Sequence, residues 1–233
     1  MAPSTEMESP QEITIRSGRV RLEGHLGIPL SPLGMVVFAH GSGSGRFSPR
    51  NNFVASYLQL GRVATLLIDL LTPDEAEDRR KVFDIDLLAD RVLLAKAWLE
   101  QDDRTKGLGI GYFGASTGAG AALQAAARNP SSIQAIVSRG GRPDLAETYL
   151  PSVTAPTMLI VGGDDEPVIE MNRAAYRRLT CPKRLVIVPG ATHLFEEPGT
   201  LEQVAEHALI WFQQHIHVLK HEGTRAQTKE RPR

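Results

Sequence analysis

The feature that most constrains this chain is an alternation. Short runs that are apolar at nearly every position recur along it, separated by stretches whose apolar residues repeat every three or four. The runs are Gly34–Ala39 (GMVVFA), Val63–Leu70 (VATLLIDL), 108–114, 134–138, 156–162 and 184–188. A strand with apolar side chains on both faces must be covered on both, and a mostly parallel sheet flanked by helices does that. The intervening stretches supply the helices. In Asp84–Gln101, the residues Ile85, Leu88, Val92, Ala95 and Leu99 make a single stripe. A helix is expected from Pro49 to about Leu60 behind a Ser48 N-cap, with others over 117–128 and 167–179. Thr72-Pro73-Asp74-Glu75 has capping-box spacing for a short helix. Thr200-Leu201-Glu202-Gln203 repeats that spacing, predicting a last helix to near Leu219 with Leu201, Ala205, Leu209, Phe212 and Ile216 inward. Period-two patterns in Glu12–Arg16 and Val20–Gly27 predict an antiparallel hairpin at the start. The fold class is α/β: a mostly parallel central sheet flanked by helices, with an antiparallel N-terminal hairpin.

Charge and cysteine content close off other classes. The 233 residues carry 26 Lys and Arg against 27 Asp and Glu, a net charge of −1, which gives no reason to expect nucleic acid or an anionic membrane as partner. The apolar runs are far shorter than a bilayer span. Cys181 is the one cysteine, so no intrachain disulfide can form, and the N-terminal MAPSTEMESP lacks the basic and apolar regions of a secretory signal. A cytoplasmic protein is expected. Residues 12–219 are read as one domain, with 1–11 and 220–233 as flexible termini, the latter (KHEGTRAQTKERPR) lacking apolar anchors.

Gly114-Ala115-Ser116-Thr117-Gly118 reads G-x-S-x-G, and its setting gives the pattern meaning. An apolar strand (LGIGYF) enters it and an alanine-rich helix (AALQAAA) leaves it, the strand–turn–helix context of a nucleophile elbow. The glycines permit a tight turn that holds Ser116 in a strained conformation with its hydroxyl projecting, while the first helical amides face it, ready to stabilise an oxyanion. The bland alternative is a small-residue packing site. A serine hydroxyl is a poor nucleophile without a base, and the base needs an orienting acid. Of seven histidines, His193 has the best setting, in the loop Pro189–His193 after the strand KRLVIV; His25 lies in a strand, and His207, His215 and His217 are placed on the last helix. The acid is expected at the outlet of the strand TMLIV, where Asp164, Asp165 and Glu166 compete. Asp165 is preferred because Asp164 lies closer to the turn and Glu166 closer to a helix N-terminus, where a carboxylate has a capping role.

The order Ser116, Asp165, His193 is that of the α/β hydrolases, and at these residues the chain resembles the dienelactone-hydrolase-like branch. Gly162, Asp165 and Val168 match that family's G-x-x-D-x-x-V, and Gly190 and His193 its G-x-x-H. The resemblance extends over about residues 12–218 and implies an α/β-hydrolase fold. His40–Gly45 (HGSGSG) and Ser138–Asp144 are similar to stretches of a bacterial subgroup whose members sometimes occur fused to a phosphoribosyltransferase domain; no such domain is expected in these 233 residues. Dienelactone hydrolases proper use cysteine where this chain has Ser116. By family position, the Ser42 N–H joins the Thr117 N–H in the oxyanion hole, with placement within the 41–44 loop open by one residue. Gly43 is a further substrate-contact candidate there, and His40 is read as a tether of the loop.

Arg139 and Arg142 follow the strand IQAIVS and emerge at the same sheet edge. A guanidinium there suits a substrate carboxylate or phosphate; alternatively Arg139 ties its own loop to an acid such as Asp144. Gly109–Gly114 spells G-x-G-x-x-G but lies inside a strand, so its glycines cannot cradle a pyrophosphate at a helix N-terminus. His215, His217 and His221 do not form a metal set, and neither metal nor cofactor is expected. Only 18 positions separate Arg139 from Thr157, enough for a short helix and no cap domain. An open site is expected, bordered by loops 71–83 and 140–155. These readings describe a serine hydrolase acting with water on a small ester or lactone, an anionic one where Arg139 contacts the substrate. A thioesterase, a peptidase or a non-catalytic module of the same fold are the alternatives.

Overall fold

A computed structural model describes residues 10–219; the expectations for 1–9 and 220–233 lie outside the described residues. Two strands, β1 (Gln11–Ser17) and β2 (Val20–Gly27), form the antiparallel hairpin. Six more follow: β3 (Gly34–Ala39), β4 (Val63–Ile68), β5 (Ile110–Ala115), β6 (Ala135–Arg139), β7 (Thr157–Gly162) and β8 (Lys183–Val188). The sheet order is β1-β2-β4-β3-β5-β6-β7-β8. The strands from β4 to β8 in that order are parallel, and β2 joins β4 antiparallel.

Alternation along each strand builds two cores from one sheet. Met35, Val37, Ala64, Leu66, Ile110 and Tyr112 pack on one face with α4 (Ile85–Gln101) and α5 (Thr117–Arg128). Val36, Phe38, Val63, Leu67 and Phe113 pack on the other with α1 (Pro49–Leu60) and α7 (Thr200–His215). Each such side chain taken fully out of water contributes about 1.5–3 kcal/mol, which is why runs that read as uniformly apolar became central strands. The capping box at Thr72 is present and starts α2 (Pro73–Ala76); a second short helix, α3 (Arg79–Val82), was not anticipated in the charged run around it. The remaining helix, α6 (Glu166–Arg178), follows β7.

Three expectations are corrected. The β4 strand ends at Ile68 rather than Leu70, because the Leu70 N–H turns away to a histidine side chain. Thr200 does not cap α7. The cap position is Gly199, at φ +78°, and the Thr200 hydroxyl points back to donate to the Glu197 carbonyl at 2.7 Å. The α7 helix also stops at His215 rather than near Leu219, since the His217 and Leu219 amides donate to Gln134 and to the Gly107 carbonyl.

Candidate active site

The strand β5 delivers Ser116 to the start of α5. Ser116 has φ +50° and ψ −122°, a conformation that costs a non-glycine residue about 1–3 kcal/mol. Neighbouring backbone holds it there: the Ser116 N–H donates to the Arg139 carbonyl (3.2 Å), and the Ser116 carbonyl accepts from the Ala119 and Arg142 amides (3.0 Å each). The flanking glycines answer to space. A Cβ on Gly114 would lie 2.4 Å from Ala119 Cα, and one on Gly118 would lie 2.1 Å from the Ala39 carbonyl oxygen. Small residues here let helix and strand approach closely enough to force the turn.

The strand β7 ends at Gly162, and Asp165 occupies the N-cap of α6 without capping it. Its carboxylate instead accepts from His193 Nδ1 at 2.7 Å, while His193 Nε2 lies 3.4 Å from Ser116 Oγ. Asp164 and Glu166 are exposed; Asp165 alone of the three turns inward. The loop carrying His193 is fixed by Glu197, whose carboxylate accepts from both the hydroxyl (2.6 Å) and the amide (3.1 Å) of Thr192. The Thr192 hydroxyl holds the Glu197 carboxyl below its ordinary pKa, so it remains an acceptor at neutral pH.

Opposite Ser116 lies the 40–46 loop. His40 is buried, its Nε2 accepts from the Leu70 amide at 3.0 Å, and its Nδ1 lies 2.9 Å from the Gly41 carbonyl. Since an amide can only donate, Nε2 must be bare and Nδ1 must carry the proton it gives to Gly41. Burial lowers the His40 pKa and keeps the ring neutral. This is the tether the sequence suggested. Thr117, the first residue of α5, has an amide with no intrahelical partner. The Ser42 amide donates to Thr117 Oγ1 at 2.9 Å, so the two residues named for the oxyanion hole are joined to each other.

The loop stands between two cavities. One, of about 510 Å³, is bounded by His40, Gly43, Arg46, Asp69 and the α2–α3 segment; the other, of about 240 Å³, is bounded by Ser116, His193, Arg139, Arg50 and Ser48. Gly43 thus faces the larger cavity and Arg139 the one that holds the serine. Segment 71–83 borders the site as expected, but 140–155 does not: Ala146, Leu150 and Val153 are buried in the core beside α5. Arg139 also does not tie its own loop. Arg142 does so, gripping Asp144 with two bonds at 2.9 and 2.7 Å. Sequence reasoning did not find Glu197, Arg50 or the Thr117 hydroxyl; Thr192 and Glu197, five apart around His193, were the one readable signal. Among the described residues, no group of three or more His, Cys, Asp or Glu side chains is arranged to hold a metal ion, and no helix is long and apolar enough to cross a membrane.

Residues 72–223 match the dienelactone hydrolase family. The chain belongs to that family. A dienelactone hydrolase from Anabaena variabilis, known from a crystal structure, is 55% identical, with 90% of this chain and 100% of that one covered and a TM-score of 0.86. Two curated proteins of Mycobacterium tuberculosis, each named "Putative phosphoribosyl transferase", are 55% identical over 206 residues. That match takes in 88% of this chain and 46% of theirs, so the chain spans about half the length of the curated relatives it matches. Est1E from Butyrivibrio proteoclasticus shares the fold at 18% identity, with a TM-score of 0.75 over 87% of this chain and 98% of its own. The chain has the α/β-hydrolase fold, here with serine at the elbow.

Proposed function

We propose that this dienelactone hydrolase family member cleaves small carboxylic esters or lactones in two steps, through an acyl group carried on Ser116. The observation that supports this most is the continuous line from Asp165 through His193 to Ser116, at 2.7 and 3.4 Å, ending on a serine in a strained elbow at a helix N-terminus. Ser116 Oγ attacks the carbonyl carbon as His193 Nε2 takes its proton. The developing oxyanion accepts from the Thr117 amide and from the Ser42 amide, which leaves the Thr117 hydroxyl to do so. His193 then protonates the departing alcohol, and a water molecule repeats the cycle on the acyl-enzyme. Throughout, Asp165 holds the imidazole Nδ1–H and stabilises the imidazolium. The two cavities share Gly41, Ser42 and Ser44 as lining, so the acyl part and the leaving group are taken on opposite sides of the 40–46 loop. Gly43 lines one side and Arg139 the other. Residues 12–219 are proposed to act as one catalytic domain.

Fluorophosphonate labelling tests the reading. The wild-type protein should be labelled and Ser116→Ala should not; equal labelling of the two would end it.

A further inference from the structure

Arg139 is a buried charge without a counter-charge among the described residues. It is 7% exposed, and its hydrogen bond to Asn51 Oδ1 is long, at 3.3 Å. Its Nε is buried with no partner among the described residues. The Phe195 ring lies beneath it, 6.0 Å from Cζ. The acid that could have neutralised it, Asp144, is taken by Arg142. Burial, aided by repulsion from Arg50, lowers the guanidinium pKa to about 10, which still leaves it charged at neutral pH. A fold retains an uncompensated buried cation at considerable cost unless something pairs with it.

The cavity that Arg139 lines supplies more donors of the same kind. Arg50 lines it too; its Nη1 reaches outward to the exposed Glu196 at 2.7 Å, while its Nε is buried without a partner among the described residues. Ser48 accepts from the Asn51 amide at 3.3 Å, leaving its hydroxyl proton to donate elsewhere, and it opens α1, whose positive end adds to the field. None of the residues lining this cavity is acidic. Two guanidinium groups and a hydroxyl, from the end of β6 and the start of α1, suit an anion with oxygens pointing several ways. A planar carboxylate would be satisfied by the edge of one arginine.

We propose that the Ser116 cavity binds a doubly charged phosphoryl group of the substrate, held between Arg139 and Arg50 while the ester carbonyl lies at the serine. This narrows the substrate class and rests on the reading of Ser116 and His193 as the reacting pair. Binding can be measured apart from turnover, by titrating inorganic phosphate into the Ser116→Ala protein and following the phosphorus resonance, with acetate and chloride as competitors. Saturable phosphate binding is expected, weakened about tenfold or more by Arg139→Gln and by Arg50→Gln, with acetate at least about tenfold weaker. Arg50 is half-buried at the rim, so its variant keeps the test intact if the Arg139 variant fails to fold. No saturable binding, or binding unchanged in the folded variants, overturns the site. Acetate matching phosphate overturns the phosphoryl assignment. In the wild type, the acetate ester of 2-hydroxyethyl phosphate or ethyl phosphonoacetate should exceed ethyl acetate in kcat/KM by about 100-fold, and neither doing so counts against the proposal. Fluorophosphonate labelling of Ser116 is read separately, so a failed hydrolase reading and a failed anion site give different results.

Discussion

The helices α1 to α6 begin in two different ways. At α1, α2 and α4 the residue before the helix uses its side chain as a cap: Ser48 accepts from Asn51, Thr72 from Glu75 and Asp84 from Leu87. At α5 and α6 the same position holds Ser116 and Asp165, two of the residue types best suited to capping, and neither caps. Each gives up about 1 kcal/mol of local stability, and Ser116 adds backbone strain. Both side chains instead reach His193, from opposite sides. A good capping residue that declines to cap marks a side chain committed to something else, and in this protein the two such residues meet at one histidine.

Substituting Ser116 should break the comparison most sharply. Ser116→Ala is expected to lower ester hydrolysis by about 10³–10⁶-fold, measured as kcat on a chromogenic ester. Ser116→Gly should be equally inactive yet more stable than the wild type by about 1 kcal/mol, because glycine accepts φ +50° without strain. A Ser116→Gly protein that melts below the wild type would show that the elbow is not strained. Next in size is Asp165→Asn, which retains the shape but presents an amide to His193 Nδ1. It should lower kcat about 10³–10⁴-fold while changing the melting temperature little. If the residue were merely a helix-start acid, activity would be retained.

The same contrast explains what the sequence could and could not reveal. The elbow was legible because strand, G-x-S-x-G and helix are contiguous, so local geometry follows from neighbouring residues. Asp165 could be singled out from Asp164 and Glu166 because, of three consecutive acids at a strand outlet, the first lies nearer the turn and the last nearer the helix N-terminus. The start of α7 was misread because Thr200-x-x-Gln203 has the right spacing for a cap, yet the turn before it offers the Glu197 carbonyl three residues back, and the hydroxyl donates there instead. Arg139 and Arg142 could not be told apart in sequence, since which guanidinium meets Asp144 depends on the exit angle of β6. Contacts such as Ser42 with Thr117 join the loop after β3 to the first turn of α5, 75 residues on, and no local pattern encodes them.

The two histidines of the site extend the comparison at intermediate size. Both ring nitrogens of His193 meet side chains of the site, whereas both of His40 are used by the backbone. His40→Ala should destabilise the protein by about 1–3 kcal/mol at pH 8, since it orphans the buried Leu70 amide. The pH dependence has a definite sign. An unfolded histidine takes up a proton near pH ~6.5, and burial lowers the His40 pKa in the folded protein. The stabilisation by His40 is therefore complete above about pH 6.5 and is lost as the pH falls from there towards the lower folded value. Urea midpoints at pH 8 and pH 5.5 should converge between wild type and variant as the pH drops; a constant gap would show that His40 is not held neutral.

The smallest effect is expected at an ordinary helix start. Asp84 is exposed, its carboxylate accepts from the Leu87 amide at 3.0 Å, and it lines neither cavity beside the 40–46 loop. Asp84→Ala should cost about 1 kcal/mol of stability, from the lost cap and its interaction with the start of α4, with kcat and KM unchanged. Asp84→Asn, which keeps a capping oxygen, should recover most of that loss. The profile is the inverse of Asp165→Asn: stability moves and activity stays. Should Asp84→Ala reduce kcat as well, α4 would be coupled to the elbow through α5, against which it packs, and the division between helix starts that stabilise and helix starts that react would not hold.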